Sequence, residues 1–426
     1  MDTTQPARSS RAINATPFFY GWIVLGIGSL GSLMMGPSQT FTVSLFISSF
    51  VTDLGLSQSA VSLIYGVSTL AASFMLPITG RAVDRFGPRR MMLLISIGLG
   101  LVTMSISLIN GAVTLLLGML LLRFFGFGSM QLVANNAVAQ WFVQRRGLVM
   151  GLLNQSLSVS LVLFPWLAAV LIGWVGWRSS WVIMGIGVLV IMVPLSWLLV
   201  RDRPEIYGLT PDGHIRPKDE SAEVDNSLQI AEVDWTLAEA RGTRAFWVFI
   251  AAFATMTMIF STLAFHQVSL FREQGLSQTV AVQSFQVVAL VSVFSNILMG
   301  RLVDTASARL LMACALLILG GQLIYVQYLN SPLQAMLYGA LTGIASGGYR
   351  VLDSAIWPKY FGRRHLGSIK GVTLIGTLGG SAFGPYPLGL SADLTGSFVP
   401  ALNLMIVFPI VLAVVVYFGV TRPQKT

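Results

Sequence analysis

Apolar residues occur along this chain in long blocks with short polar breaks, and the blocks carry no steady alternation. Twelve blocks, at 19–46, 57–79, 89–109, 112–140, 147–173, 178–200, 244–271, 278–299, 308–329, 332–358, 367–391 and 397–420, reach twenty residues or more. That is the length a helix needs to cross a hydrocarbon core about 30 Å thick. The blocks are too long for the roughly 10-residue strands of a membrane β-barrel, whose residues alternate between lipid and lumen. The pattern predicts an all-α membrane protein with twelve transmembrane helices, spans 1 to 12 in chain order. Within span 1, Gly36-Pro37-Ser38 predicts a helix break of the kind found where irregular backbone lines a cavity, and Gln39 follows it.

Comparing the chain with itself at an offset of 220 residues adds internal order. Gly55-Leu56-Ser57-Gln58 recurs as Gly275-Leu276-Ser277-Gln278, and Gly80, Arg81, Asp84 and Arg89 recur as Gly300, Arg301, Asp304 and Arg309. Pro165 recurs as Pro385, and Phe142 and Arg145 recur one residue out of step as Phe361 and Arg364. An ordered series of this kind predicts a six-helix unit duplicated in parallel orientation. The expected domains are a tail at 1–18, a six-helix half at 19–200, a polar linker at 201–243, a second half at 244–420 and a tail at 421–426. Parallel halves with a midplane site imply alternating access by rocking.

Composition agrees with lipid as the surroundings. Of 426 residues, 54% are hydrophobic and 10% charged, with mean hydropathy +0.75; soluble domains carry about 25% charged residues. The net charge of +9 does not point to nucleic acid, because the cations sit in short clusters between apolar blocks. Of 26 Lys and Arg, 22 fall in the N-terminal tail, the even-numbered loops and the C-terminal tail, while Arg178 and Arg272 fall in the opposite loops. By the positive-inside rule both termini are expected in the cytoplasm, with a bacterial inner membrane as the expected location. The tail Met1 to Thr16 leads into a full-length span without a small-residue cleavage site, so no removable signal is expected. Cys314 is the one cysteine, and no His, Glu or Asp cluster has metal-ligand spacing, so neither a disulfide framework nor a metal or other cofactor is expected.

The loop after span 2 reads GRAVDRFGPRR from Gly80 to Arg90. With the helix number and the duplication, it resembles the major facilitator superfamily, whose G-x-x-x-D-R-x-G-x-R-R motif it matches at every defined position. The resemblance implies the major facilitator fold. It also implies a gating role for Gly80, Asp84, Arg85, Gly87, Arg89 and, in the degraded second copy, Asp304. Asp84 and the arginines can pair with one another and with helix ends; simply setting topology is the alternative. Arg123-Phe-Phe-Gly126-Phe-Gly128 resembles the superfamily's span-4 motif of an arginine followed by spaced glycines. Tyr20-Gly21-Trp22 and the stretch from Trp141 to Gly151 are similar to signatures of the monocarboxylate transporter family and its bacterial, oxalate/formate exchanger-like relatives. Two features depart from that family: Pro17 replaces the acidic residue of the first signature, and span 8 carries neither Asp nor Arg. Lys370 stands only at the cytoplasmic start of span 11, where the exchanger pattern has a lysine deep in the helix.

Ionisable residues inside spans are costly and usually functional. Arg350 and Asp353 in span 10 are three apart, on one helix face and close enough to pair. Either they neutralise each other, or Arg350 takes a substrate carboxylate bidentately and Asp353 takes up a proton. Tyr349 precedes them. Arg123 either bonds carbonyls of a neighbouring helix or meets substrate. His266, the one histidine within a span, is a candidate for proton coupling, for a neutral hydrogen bond to substrate, or for an interface contact. Asn135 and Asn136 in span 4, Asn154 and Gln155 in span 5, and Gln39 supply polar groups for a solute or for neighbouring helices.

These residues imply a secondary transporter, acting as a monomer among membrane lipid, for a small organic anion. A monocarboxylate comes first, with a proton as coupling ion. The alternative in the same superfamily is an exporter of drug-like or amphipathic compounds. A membrane enzyme or non-transporting sensor is a remote third, since Gly126-x-Gly128 follows no strand and makes no nucleotide fingerprint.

Overall fold

The computed structural model describes residues 11–14, 16–142, 145–213, 235–362 and 366–420. Among these residues the regular structure is helical throughout. Spans 2, 3, 7, 8, 9, 10 and 12 appear as the helices Gln58–Phe86, Pro88–Ser105, Arg244–Glu273, Gln278–Thr305, Ala308–Tyr325, Pro332–Phe361 and Val399–Gly419. Spans 5 and 6 form one run, Arg146–Leu199, turned at Gly176 (φ 78°). Span 4 is Ala112–Leu122 and Gln131–Trp141 joined by π-helical turns over Arg123–Met130. Span 11 is Leu366–Phe383 and Pro385–Thr395.

Span 1 is broken where Pro37 predicts it. The helix Gly21–Met34 gives way to a tight turn at Gly36–Ser38, and Ile47–Leu54 completes the span. Proline supplies no N–H, so the local carbonyls find other donors. Ser38 Oγ donates to the Met35 carbonyl at 2.7 Å and Thr42 Oγ1 to the Gly36 carbonyl at 2.7 Å. Eight of the helices are long and apolar enough to cross a membrane unaided. Spans 1 and 11 are interrupted, the span-10 helix Pro332–Phe361 is not among the eight, and spans 5 and 6 are counted as one. Large apolar side chains such as Trp174 (82% exposed), Leu108 (78%) and Phe418 (76%) point outward, which lipid tolerates and water does not.

The duplication is visible in the backbone. Span 3 ends at Ser105 and passes into a 3-10 turn at Ile106–Leu108; span 9 ends at Tyr325 and passes into one at Val326–Tyr328. Arg89 Nη2 donates to the Trp197 carbonyl at 2.7 Å, and its repeat Arg309 donates through Nη1 to the Val420 carbonyl, also at 2.7 Å. Each arginine thereby holds the carbonyl end of the last helix of its half, where a cation contributes about 0.3–1 kcal/mol.

Two compact units emerge, and they cut across the sequence halves. One comprises residues 1–42 and 71–224, the other 43–70 and 225–426. In the first, Pro88–Ser105 and Gly21–Met34 both pack on Arg146–Leu199. In the second, Gln278–Thr305 packs on Pro332–Phe361, Ala308–Tyr325 on Val399–Gly419, and Arg244–Glu273 on Leu366–Phe383. The end of span 1 and the first half of span 2 thus belong with spans 7 to 12.

Candidate solute site

In the first unit, Arg123 opens the π-helical turns of span 4. Its side chain is 1% exposed, its Nη1 donates to the Ser38 carbonyl at 2.7 Å, and its guanidinium lies 4.0 Å from the Phe127 ring centre. The break in span 1 frees that carbonyl, so the arginine and the break fit each other. A side chain on Gly126 would run into Ser38 Oγ, so the approach of span 4 to the break requires glycine there. Gln39 is buried beside this contact, and its Nε2 has no partner among the described residues. Asn135 Oδ1 accepts from Gln131 Nε2 at 2.9 Å and Asn136 Oδ1 from Gln140 Nε2 at 2.7 Å, so both asparagines bond along their own helix. Asn154 is exposed, and Gln155 is half-buried with Oε1 unpartnered among the described residues.

In the second unit, Tyr349, Asp353, Lys370, Thr373 and Thr377 line a recess of about 340 Å³ between spans 10 and 11. The Arg350–Asp353 pair allowed by their spacing does not form. Asp353 Oδ2 instead accepts from Lys370 Nζ at 3.2 Å, and Oδ1 accepts from Trp357 Nε1 at 3.1 Å. The two charged side chains are 37% and 32% exposed, so water reaches the pair. Arg350 is exposed and makes no hydrogen bond or ion pair among the described residues. The Tyr349 ring is held edge-on by Phe253 and Phe260, with centroids 5.7 and 5.9 Å away.

His266 is elsewhere in this unit, at the Pro385 end of span 11. That is fifteen residues from Lys370, or about 22 Å of helix. It is fully buried, and its Nε2 lies 2.9 Å from the Pro385 carbonyl and 3.3 Å from Ser62 Oγ. A carbonyl only accepts, so Nε2 carries the proton. The Ser62 hydroxyl donates to the Gln58 carbonyl at 2.8 Å, leaving its lone pairs toward the imidazole. Phe265 and Phe398 flank the ring, and Nδ1 has no partner among the described residues.

The residues of the loop after span 2 divide in two. Asp84 and Arg85 are exposed at the end of Gln58–Phe86 and make no hydrogen bond or ion pair among the described residues; Arg85 lies over the Phe86 ring at 5.3 Å. Gly80 is half-buried in that helix with open space beside it. Gly87 takes φ 81° and Arg89 is engaged with Trp197, while Asp202 Oδ1 accepts the Arg89 N–H at 3.0 Å. The side chain of Asp304 lies outside the described residues. Lys370 stands at a span edge and the partner of Asp202 is remote in sequence, so spacing alone makes neither a site residue. The exchanger-like lysine pattern was the available signal for Lys370.

These features define a multi-pass helical membrane transporter of small solutes. The family model described as Major Facilitator Superfamily matches residues 28–385, and the chain belongs to that family of transporters, which are not enzymes. It is 24% identical to the MFS-type transporter YhjX of Escherichia coli (strain K12) over 344 residues, 79% of this chain and 80% of that one. Shorter matches reach "Probable sulfoacetate transporter SauU" of Cupriavidus necator, 24% identical over 38% of this chain and 36% of that one, and "Probable L-galactonate transporter" of Escherichia coli (strain K12), 29% identical over 36% and 32%. In fold it is similar to a bacterial homolog of the human lysosomal transporter Spinster, solved in an inward-facing and occupied conformation. The TM-score is 0.74 and the identity 17%, covering 95% of this chain and 97% of that one.

Proposed function

We propose that the chain is a secondary active transporter of a small organic anion, a monocarboxylate first among them, working by alternating access and coupled to protons. The observation that carries this reading is Arg350: an exposed guanidinium within a span, without a partner among the described residues. An arginine within a span is costly to expose to lipid, which favours a watery space beside it where an anion can reach the guanidinium. The recess lined by Tyr349, Asp353 and Lys370, about 340 Å³, is at the small end of ligand sites, which favours a small solute over a drug-like one. The names of two relatives, a sulfoacetate and a galactonate transporter, also specify organic acids. The expected setting is a monomer in a bacterial inner membrane, both termini in the cytoplasm, with the arginine-rich loops against anionic lipid.

Reconstituted protein is expected to accumulate lactate, pyruvate, sulfoacetate or galactonate when an inward proton gradient is imposed. Absence of uptake for all four, with export of lipophilic cations instead, would transfer the protein to the drug-exporter reading.

The coupled proton is assigned to Asp353. Its carboxylate is reached by water and held by Lys370, a cation that an arriving anion competes for. His266 is enclosed by aromatic rings, and a second proton on Nδ1 would create a buried cation with no acceptor for it among the described residues. Asp353→Asn is therefore expected to abolish acceleration of uptake by the proton gradient while leaving solute counterflow. His266→Ala is expected to keep the response to the gradient, whatever it does to the overall rate. The reverse pattern in the same vesicles would move the proton to His266.

A further inference from the structure

Span 2 begins at Gln58, and the first turn of any helix carries N–H groups that have no partner within it. Here all four are satisfied. The Val61 N–H donates to the Ser57 carbonyl at 3.1 Å, and the Ala60 N–H to Ser57 Oγ at 3.1 Å. The other two reach outside the span. The Gln58 N–H donates to Asp393 Oδ1 at 3.0 Å and the Ser59 N–H to Asp393 Oδ2 at 2.7 Å. Asp393 lies in the last turn of Pro385–Thr395, 335 residues further along the chain.

The contact has no slack. A Cβ on Gly389 would stand 2.7 Å from Ser62 Oγ and 2.8 Å from the Gln58 carbonyl oxygen, so only glycine allows span 11 to come this near span 2. Beneath it, His266 bridges Pro385 of span 11 and Ser62 of span 2. Tyr65 and Phe265 stack obliquely with ring centres 4.6 Å apart. The Asp393 carboxylate takes both N–H groups and is seated on the positive end of a helix.

The duplicated copy shows that the carboxylate is not needed to start the helix. Gly275-Leu276-Ser277-Gln278 begins Gln278–Thr305 with Ser277 Oγ accepting from the Val280 N–H at 3.4 Å. The residue 220 positions before Asp393 is Gly173. Of two helix starts with the same sequence, one has drawn a carboxylate from a distant helix, and it is the one whose residues group with spans 7 to 12.

We propose that Asp393 is a latch: it fastens the start of span 2 to the end of span 11 while the carrier is closed on that side, and its release is a step of opening there. An alternating-access carrier that opens on this side pulls residues 58–70 away from spans 7 and 11. The two hydrogen bonds to a charged acceptor are the strongest it then breaks there. The proposal needs only that the chain transports, whatever the solute.

The test places one reporter cysteine beneath the latch, Ala382→Cys, in a Cys314→Ser background, since Ala382 is 0% exposed and Cys314 is the exposed free cysteine. A membrane-impermeant maleimide is applied to right-side-out and to inverted vesicles. Asp393→Asn and Asp393→Ala are expected to raise the labelling rate by about tenfold or more, from one side only, which also identifies the side. Gln58→Pro is the independent variant. It removes one of the two N–H groups that Asp393 accepts, at a position where proline suits a helix start, and an acceleration from the same side is expected. Ser277→Ala, at the repeated start, is expected to leave the rate unchanged. Parental labelling from both sides in Asp393→Ala and Gln58→Pro, in protein that elutes as the parent does, would overturn the latch.

Discussion

Uptake of an organic anion by the Arg350→Ala protein is expected to fall by about a hundredfold or more. The estimate rests on two hydrogen bonds from a guanidinium to a carboxylate, each contributing about 1.5 kcal/mol or more, with each 1.4 kcal/mol a factor of ten. The substitution adds no buried charge and breaks no internal bond, because Arg350 is exposed and has no protein partner among the described residues. Folding is therefore expected to survive, and the loss to appear in binding. Arg350→Lys keeps a cation but loses the planar fork, so it is expected to retain weakened uptake with a raised KM. Initial rates in proteoliposomes, with the anion-induced rise in melting temperature as a second readout, check both. Parental uptake by correctly inserted Arg350→Ala protein would remove the span-10 site and with it the strongest argument for an anion.

Much of the architecture was written in the chain. Apolar length placed the span starts closely but left the ends of spans 1, 2 and 8 short of Leu54, Phe86 and Thr305; proline placed the break in span 1, and the 220-residue offset foretold the matching 3-10 turns after Ser105 and Tyr325. What failed to be legible is long-range pairing. Helical spacing says that Arg350 and Asp353 share a face, but not that Trp357, one turn on, and Lys370, on the next span, hold the carboxylate instead. The loop after span 2 shows the same limit. Its residue types are those of a gate, yet Arg89 is committed to the end of span 6 and Asp84 has no partner among the described residues. Asp393 was invisible for a further reason: its counterpart in the repeat is glycine, so the duplication pointed away from it.

Arg123 gives the second large effect, and it is expected in stability rather than in solute binding. A membrane interior offers no water to a carbonyl released by a broken helix. The Ser38 carbonyl is such a group, and Arg123 supplies its donor from inside the protein, with the Phe127 face against the cation. Arg123→Leu leaves the carbonyl without that donor and loses the ring contact, at a cost of about 3 kcal/mol or more. An apparent melting temperature in detergent lower by about 3 °C or more is expected, with and without solute. Arg123→Lys, which keeps a donor and a charge, is expected to recover part of the loss. If Arg123 instead touches the solute, Arg123→Leu will melt as the parent does and lose only the rise in melting temperature that the anion produces. The two roles thus predict opposite readings in one experiment. The 2.7 Å bond to Ser38, the closeness forced by Gly126 and the near-complete burial of the side chain all favour the structural one.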